Sequence, residues 1–126
     1  MKYRNALARA RGLGSAKDGT EHWLRQRVTA LALIPLMLLF VACMVSLTGA
    51  DRSTVIATLG RPVPAGITLL LIFAGFWHLK LGGQVIIEDY VHNERLKFAG
   101  VVLLTFACIA VGLAAALSVL RFVLGA

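Results

Sequence analysis

His78 and Lys80 interrupt an otherwise apolar run that ends in Glu88-Asp89-Tyr90, the stretch HLKLGGQVIIEDY. An ionisable side chain at membrane depth is costly unless it pairs, binds or carries charge, so it reads first as a functional candidate. On a helix turning by about 100° per residue, His78 shares its face with Gly75, three residues before, and Gly82, four after. Glycine leaves that strip flat. A flat strip beside an imidazole suits a broad planar ligand such as a porphyrin, whose iron takes the ring nitrogen. Asp89 lies eleven residues beyond His78, close to three turns, and returns to nearly the same face about 16 Å along the axis. Tyr90 beside it supplies a hydroxyl donor for a carbonyl oxygen, with the carboxylate to fix it or relay protons.

Each feature also has a plainer use. A single intramembrane histidine equally serves as a hydrogen-bond partner to another helix, and glycines equally serve close helix packing. Lys80 is turned about 200° from the His78 face and reads as a side chain snorkelling toward the nearer surface. Glu88, Asp89 and Tyr90 also fit an interfacial cluster, with the tyrosine in an aromatic belt.

Whatever these residues do, a membrane scaffold must hold them. The chain has 126 residues, 59% of them hydrophobic, and a mean hydropathy of +0.81, above what a soluble domain of this size tolerates. Three runs, at about 28–50, 63–88 and 98–120, are long enough to cross a hydrocarbon core of about 30 Å as helices. The expectation is an all-α membrane protein with three transmembrane helices. Residues 1–20 form a basic arm and residues 21–126 the anchor proper. No soluble catalytic domain fits in what remains, so any enzymology is shared with partner subunits. The net charge of +7 is distributed by topology rather than for nucleic acid. Seven of the thirteen Lys/Arg residues precede the first span: Lys2, Arg4, Arg9, Arg11, Lys17, Arg25 and Arg27. The positive-inside rule therefore places the N-terminus in the cytoplasm, residues 51–62 outside, residues 88–97 back in the cytoplasm and the C-terminus in the periplasm.

The segment MKYRNALARARGLGSAKDGT is basic and poor in acids, as a mitochondrial transit peptide would also be. Beginning at Met1, the chain reads instead as an unprocessed protein of the bacterial inner membrane. Gly12, Gly14 and Gly19 with Ser15 and Asp18 suggest an irregular arm. Thr20 ahead of Glu21 suggests an N-cap, so the first helix is expected to start near Glu21, with Trp23 at the interface. Pro35 should kink that helix. Ala110 with Ala114, and Gly112 with Ala116, give the third span small residues at four-residue spacing, a packing pattern. Cys43 and Cys108 lie at different depths and read as unpaired apolar residues without metal spacing.

Taken together, the residues resemble the hydrophobic D-type anchor of succinate dehydrogenase, respiratory complex II. The resemblance runs from Gly19-Thr20-Glu21-His22-Trp23, through Arg27-Val28-Thr29-Ala30 at the first span, to His78 and then Asp89-Tyr90-Val91-His92. Its most specific part is His-x10-Asp-Tyr-Val in the second of three spans, following Arg-x-Thr-Ala before the first. The resemblance implies that His78 is an axial ligand of a haem b whose second histidine comes from a companion C-type cytochrome b anchor, the two anchors packing into one helical bundle. It further implies that Tyr90 bonds a ubiquinone carbonyl with Asp89 in support, and that Arg27 and His22 lie near haem propionates. Flavin (FAD) and iron–sulfur clusters then belong to a flavoprotein subunit and an iron–sulfur subunit docked on the cytoplasmic face. Lys80 departs from the version of the pattern with an apolar or aromatic residue two positions after His78. An anchor for another quinone-linked enzyme such as fumarate reductase, and a non-redox scaffold or transporter component, are the other readings of the same residues.

Overall fold

The computed structural model describes residues 16–125, with side chains from Thr20 onward. Residues 1–15, and with them most of the expected basic arm, lie outside the described residues. Four helices follow one another: α1 (Ala16–Ser46), α2 (Arg52–Leu59), α3 (Pro62–Tyr90) and α4 (Glu94–Leu124). Three of them, Thr20–Ser46 within α1, then α3 and α4, are long and apolar enough to cross a membrane.

Helix boundaries follow local chemistry. Pro62 opens α3 at a position where its missing N–H is not needed. It also holds Arg61 in the extended region, at ψ 148°. Asn93 caps α4, its side-chain oxygen accepting from the backbone N–H groups of Arg95 (3.0 Å) and Leu96 (3.2 Å). Gly125, with φ +69°, closes α4 in the left-handed region that glycine adopts freely. Three expectations are corrected here. Helix α1 is already helical at Ala16, the first described residue, so Asp18, Gly19 and Thr20 lie inside it and Thr20 is not its N-cap. The polar first turns simply carry the helix beyond the apolar run. At the other end α1 stops at Ser46, short of residue 50, in a turn containing Gly49 at φ +81°. The connection 51–62 is not a plain loop but contains α2.

Helix α3 is central. Helices α1 and α4 pack on it from different sides and do not approach each other, while α2 touches α3 and α4 at one end. The contacts run antiparallel. Along α1 and α3, Gln26 meets Gly82, Thr29 meets His78 and Leu33 meets Gly75. Along α3 and α4, Phe76 meets Gly112, Gly83 meets Leu104 and Ile87 meets Gly100. Small residues at each of these crossings let the backbones close in. Gly112 and Ala116 of the small-residue pattern face α3, whereas Ala110 and Ala114 are exposed.

Burial is slight. Only Ala65, Ala74, Leu81, Cys108 and Val119 are buried among the described residues, while Leu31, Leu38, Phe73 and Leu103 stand open. An exposed apolar surface of this extent needs lipid or partner helices around it. Cys43 and Cys108 are both free thiols.

Candidate functional site

The His78 face of α3 turns toward α1. His78 Nδ1 lies 3.0 Å from the hydroxyl oxygen of Thr29. That oxygen also lies 2.9 Å from the Arg25 carbonyl and 3.0 Å from the Gln26 carbonyl, one turn back on α1. Carbonyls only accept, so the single hydroxyl hydrogen goes to them, and the third contact is a donation from Nδ1–H of His78 to Thr29. The imidazole is thereby assigned to the tautomer with Nε2 unprotonated. Among the described residues no hydrogen bond engages Nε2, and it is not among the sealed polar atoms.

An unengaged lone pair on a ring whose other nitrogen is committed is what an axial metal ligand requires. No group of three or more His, Cys, Asp or Glu converges among the described residues. A metal taken up by His78 would therefore draw its other ligands from outside this chain. The donor chemistry fits one axial position of a haem and does not fit a self-contained metal centre.

Gly75 and Gly82 do not leave an open strip. A Cβ on Gly75 would stand 3.9 Å from Leu33 Cδ2, and one on Gly82 would stand 3.2 Å from Gln26 Nε2. The two glycines receive α1, one turn above and below the Thr29–His78 bond.

Toward the Tyr90 end lies a second, polar neighbourhood. A cleft of about 520 Å³ is lined by Glu21, His22, Arg25, Lys80, Leu81, Gln84 and Glu88. Lys80 Nζ donates to Gln84 Oε1 at 2.7 Å, and Gln84 Nε2 donates to Glu88 Oε1 at 2.7 Å. Each rung is four residues long, so the ladder carries the ammonium toward the Glu88 end, the direction snorkelling predicts. His22 Nε2 and Gln26 Oε1 are buried with no partner among the described residues, the kind of orphan that a ligand or another subunit satisfies. Arg25 pairs with Glu21 on the exposed side of α1. Arg27 is also exposed, its guanidinium 5.2 Å from the centroid of the Trp23 ring.

Asp89 and Tyr90 end α3 in the open. Tyr90 is 78% exposed, and no hydrogen bond joins it to Asp89 among the described residues. His78 stands twelve residues inward of Tyr90, roughly 18 Å along the axis, so His78 and Tyr90 form two separate stations on one helix. On the other side of α3 an apolar groove of about 490 Å³ runs along α4, with Phe76, Trp77, Lys80 and Thr105 in its wall. Sequence reasoning had not singled out Thr29 or Gln26 as site residues. The available signal was a threonine in the Arg-x-Thr-Ala segment of a span that has a histidine to pair with.

Comparison with known proteins shows the family of the chain. The family described as succinate dehydrogenase/fumarate reductase transmembrane subunit matches residues 1–112. The succinate dehydrogenase hydrophobic membrane anchor subunit of Paracoccus denitrificans is 36% identical over 99 residues, covering 79% of this chain and 77% of that protein. Its namesake in Rickettsia bellii is 34% identical over 95 residues, 75% of this chain and 76% of its own length. The succinate dehydrogenase membrane anchor subunit of Reclinomonas americana is 32% identical over 91 residues, 70% of this chain and 76% of its own length. No solved structure matches the chain.

Proposed function

The chain belongs to the succinate dehydrogenase/fumarate reductase transmembrane subunit family as a multi-pass inner-membrane anchor subunit of succinate dehydrogenase, and on that premise we propose that it serves three tasks. It holds a flavoprotein and an iron–sulfur subunit at the membrane. It offers His78 to a haem b shared with a companion C-type anchor. It lends Tyr90 and Asp89 to a ubiquinone-reduction site. The observation that carries the haem part is the commitment of His78 Nδ1 to Thr29, which leaves Nε2 available. The family description covers fumarate reductases as well, but the relatives named above are all succinate dehydrogenase subunits.

Orientation follows from charge. The end with the start of α1, Tyr90 and the start of α4 carries Arg25, Arg27, Arg95 and Lys97, and the far end carries Arg52, Arg61 and Arg121. With Lys2, Arg4, Arg9, Arg11 and Lys17 added to the first end, that end faces the cytoplasm. The soluble subunits, which hold FAD and iron–sulfur clusters and oxidise succinate, dock there against the basic arm.

Ubiquinone reaches Tyr90 from the bilayer, where the exposed phenol donates its hydroxyl hydrogen to a quinone carbonyl as negative charge builds on that oxygen. Asp89 lies beside it at the water edge, where a carboxylate can orient the headgroup or pass on protons drawn from the cytoplasm. Bound haem supplies a one-electron store beside this route. His78 fixes its place from α3, while His22 and Arg27 stand at the cytoplasmic end of α1 as cationic or hydrogen-bonding partners for propionates. Gly75 and Gly82 contribute by letting α1 close on α3.

The test is a succinate-reduced minus oxidised absorption spectrum of the purified complex, taken for the native chain and for His78→Ala. Sharp low-spin b-type bands are expected from the native complex and their loss from the variant. Unchanged bands in His78→Ala would overturn axial ligation.

A further inference from the structure

Among the described residues the hydroxyl of Thr29 is the single polar group that reaches across from α1 to the imidazole, and it is held in place by its own helix. Its hydrogen is drawn to the Arg25 and Gln26 carbonyls, so its lone pair is turned toward His78. Threonine is β-branched, which leaves few side-chain rotamers in a helix and makes the aim of this lone pair reproducible. The crossing is pinned one turn away on either side by Gln26 against Gly82 and Leu33 against Gly75. A cross-helix bond that merely glued α1 to α3 would need no particular ring nitrogen. Here Nδ1 is taken and Nε2 is left.

We propose that Thr29 is a positioning residue for His78: it accepts the Nδ1 proton, fixes the tautomer and the ring plane, and thereby presents the Nε2 lone pair to iron. The inference rests on the reading of His78 as a haem ligand. Because the acceptor is a neutral hydroxyl already polarised by two carbonyl contacts, it makes the imidazole a moderately stronger donor without creating an imidazolate. A stronger donor favours the oxidised iron. Thr29 therefore holds the haem potential below the value that His78 alone would set.

Thr29→Val keeps the shape and removes the hydroxyl, and Thr29→Ser keeps the hydroxyl. Both are made in the assembled complex, alongside His78→Ala. The readouts are haem content, the haem midpoint potential by redox titration, and the low-spin electron paramagnetic resonance spectrum of the oxidised complex. Thr29→Val is expected to raise the midpoint potential and shift the g-values, with electron transfer from succinate to a soluble dye unchanged, and Thr29→Ser is expected to restore both. If Thr29→Val loses haem altogether, retention in Thr29→Ser still supports the proposal, because threonine and serine share the hydroxyl that valine lacks. Loss in both variants would make Thr29 a packing residue and overturn it. A native potential and spectrum in Thr29→Val, with haem lost in His78→Ala, would overturn positioning while ligation stands. Bands surviving in His78→Ala would remove ligation and positioning together.

Discussion

Replacing Gly60 by alanine tests whether α2 is docked as the structure shows. Gly60 has φ −76° and ψ −12°, an ordinary right-handed conformation, so no backbone strain attends the change. In conformational terms alone, alanine should gain up to about 1 kcal/mol over glycine. Against this, its Cβ would stand 2.6 Å from the Phe122 carbonyl oxygen in the last turn of α4, and 3.2 Å from the Ile56 carbonyl oxygen. A main-chain oxygen cannot rotate away. Restoring an ordinary contact needs a shift of roughly 0.6–0.8 Å between α2 and α4, within the range of overpacking changes that cost about 1–3 kcal/mol. The net loss is about 1–2 kcal/mol, equivalent to about 5–30-fold in the opening of α2 from α4. Gly66 is the control: it lies inside α3 with nothing within 4 Å of its Cβ position, so Gly66→Ala should be neutral or mildly stabilising. Hydrogen exchange of the α2 amides in the detergent-solubilised complex reads the difference. Amides of α2 exchanging no faster in Gly60→Ala than in Gly66→Ala would refute the close approach.

Tyr90→Phe keeps the ring and removes one hydrogen bond to an oxygen that gains charge, a loss of about 1.5–3 kcal/mol. Succinate-driven quinone reduction should fall roughly ten- to hundredfold with dye reduction intact, and equal loss of both would count against the quinone role. Asp51 occupies the position ahead of α2, outside the spans. The hydroxyl of Ser53, then that of Thr54, donates to its carboxylate and lowers its pKa from 3.8 to about 2. Because the folded value is depressed, the carboxylate favours the folded start of α2 above pH about 4 and loses that effect as pH falls toward 2. Carbon-13 NMR should place the Asp51 midpoint near 2, moving up toward 3.8 when Ser53 and Thr54 are both alanine. An unmoved midpoint would show that the hydroxyls are not its cause.

The three spans were legible because an apolar run of more than twenty residues has few other uses, even with His78 and Lys80 inside the second. Their ends were not. Hydropathy reports where the bilayer is, whereas hydrogen bonding decides where a helix stops, so α1 extends back through Glu21 and Thr20 and already includes Ala16, the first described residue. Helix α2 escaped notice because its eight residues carry no clear apolar face, though Asp51 ahead of Ser53-Thr54 and Pro62 behind Arg61 bracket it as start and stop. At the site, rotation about α3 correctly separated Lys80 from His78 and sent its ammonium toward Glu88. What rotation could not supply was the neighbour. Which helix covers the Gly75–His78–Gly82 strip depends on a crossing between residues 49 positions apart, Thr29 and His78, and no local pattern encodes that.

Because α1 meets only α3 among the described helices, and α4 meets α3 and the short α2 but not α1, the two flanks of α3 are mechanically separate. Remodelling the groove beside Phe76 and Thr105 reaches the Thr29–His78 contact only by displacing α3 as a rigid rod. The lipid or protein neighbours on one flank can thus diverge while the imidazole keeps its aim, a modularity that a closed three-helix bundle, with every helix touching every other, would not permit.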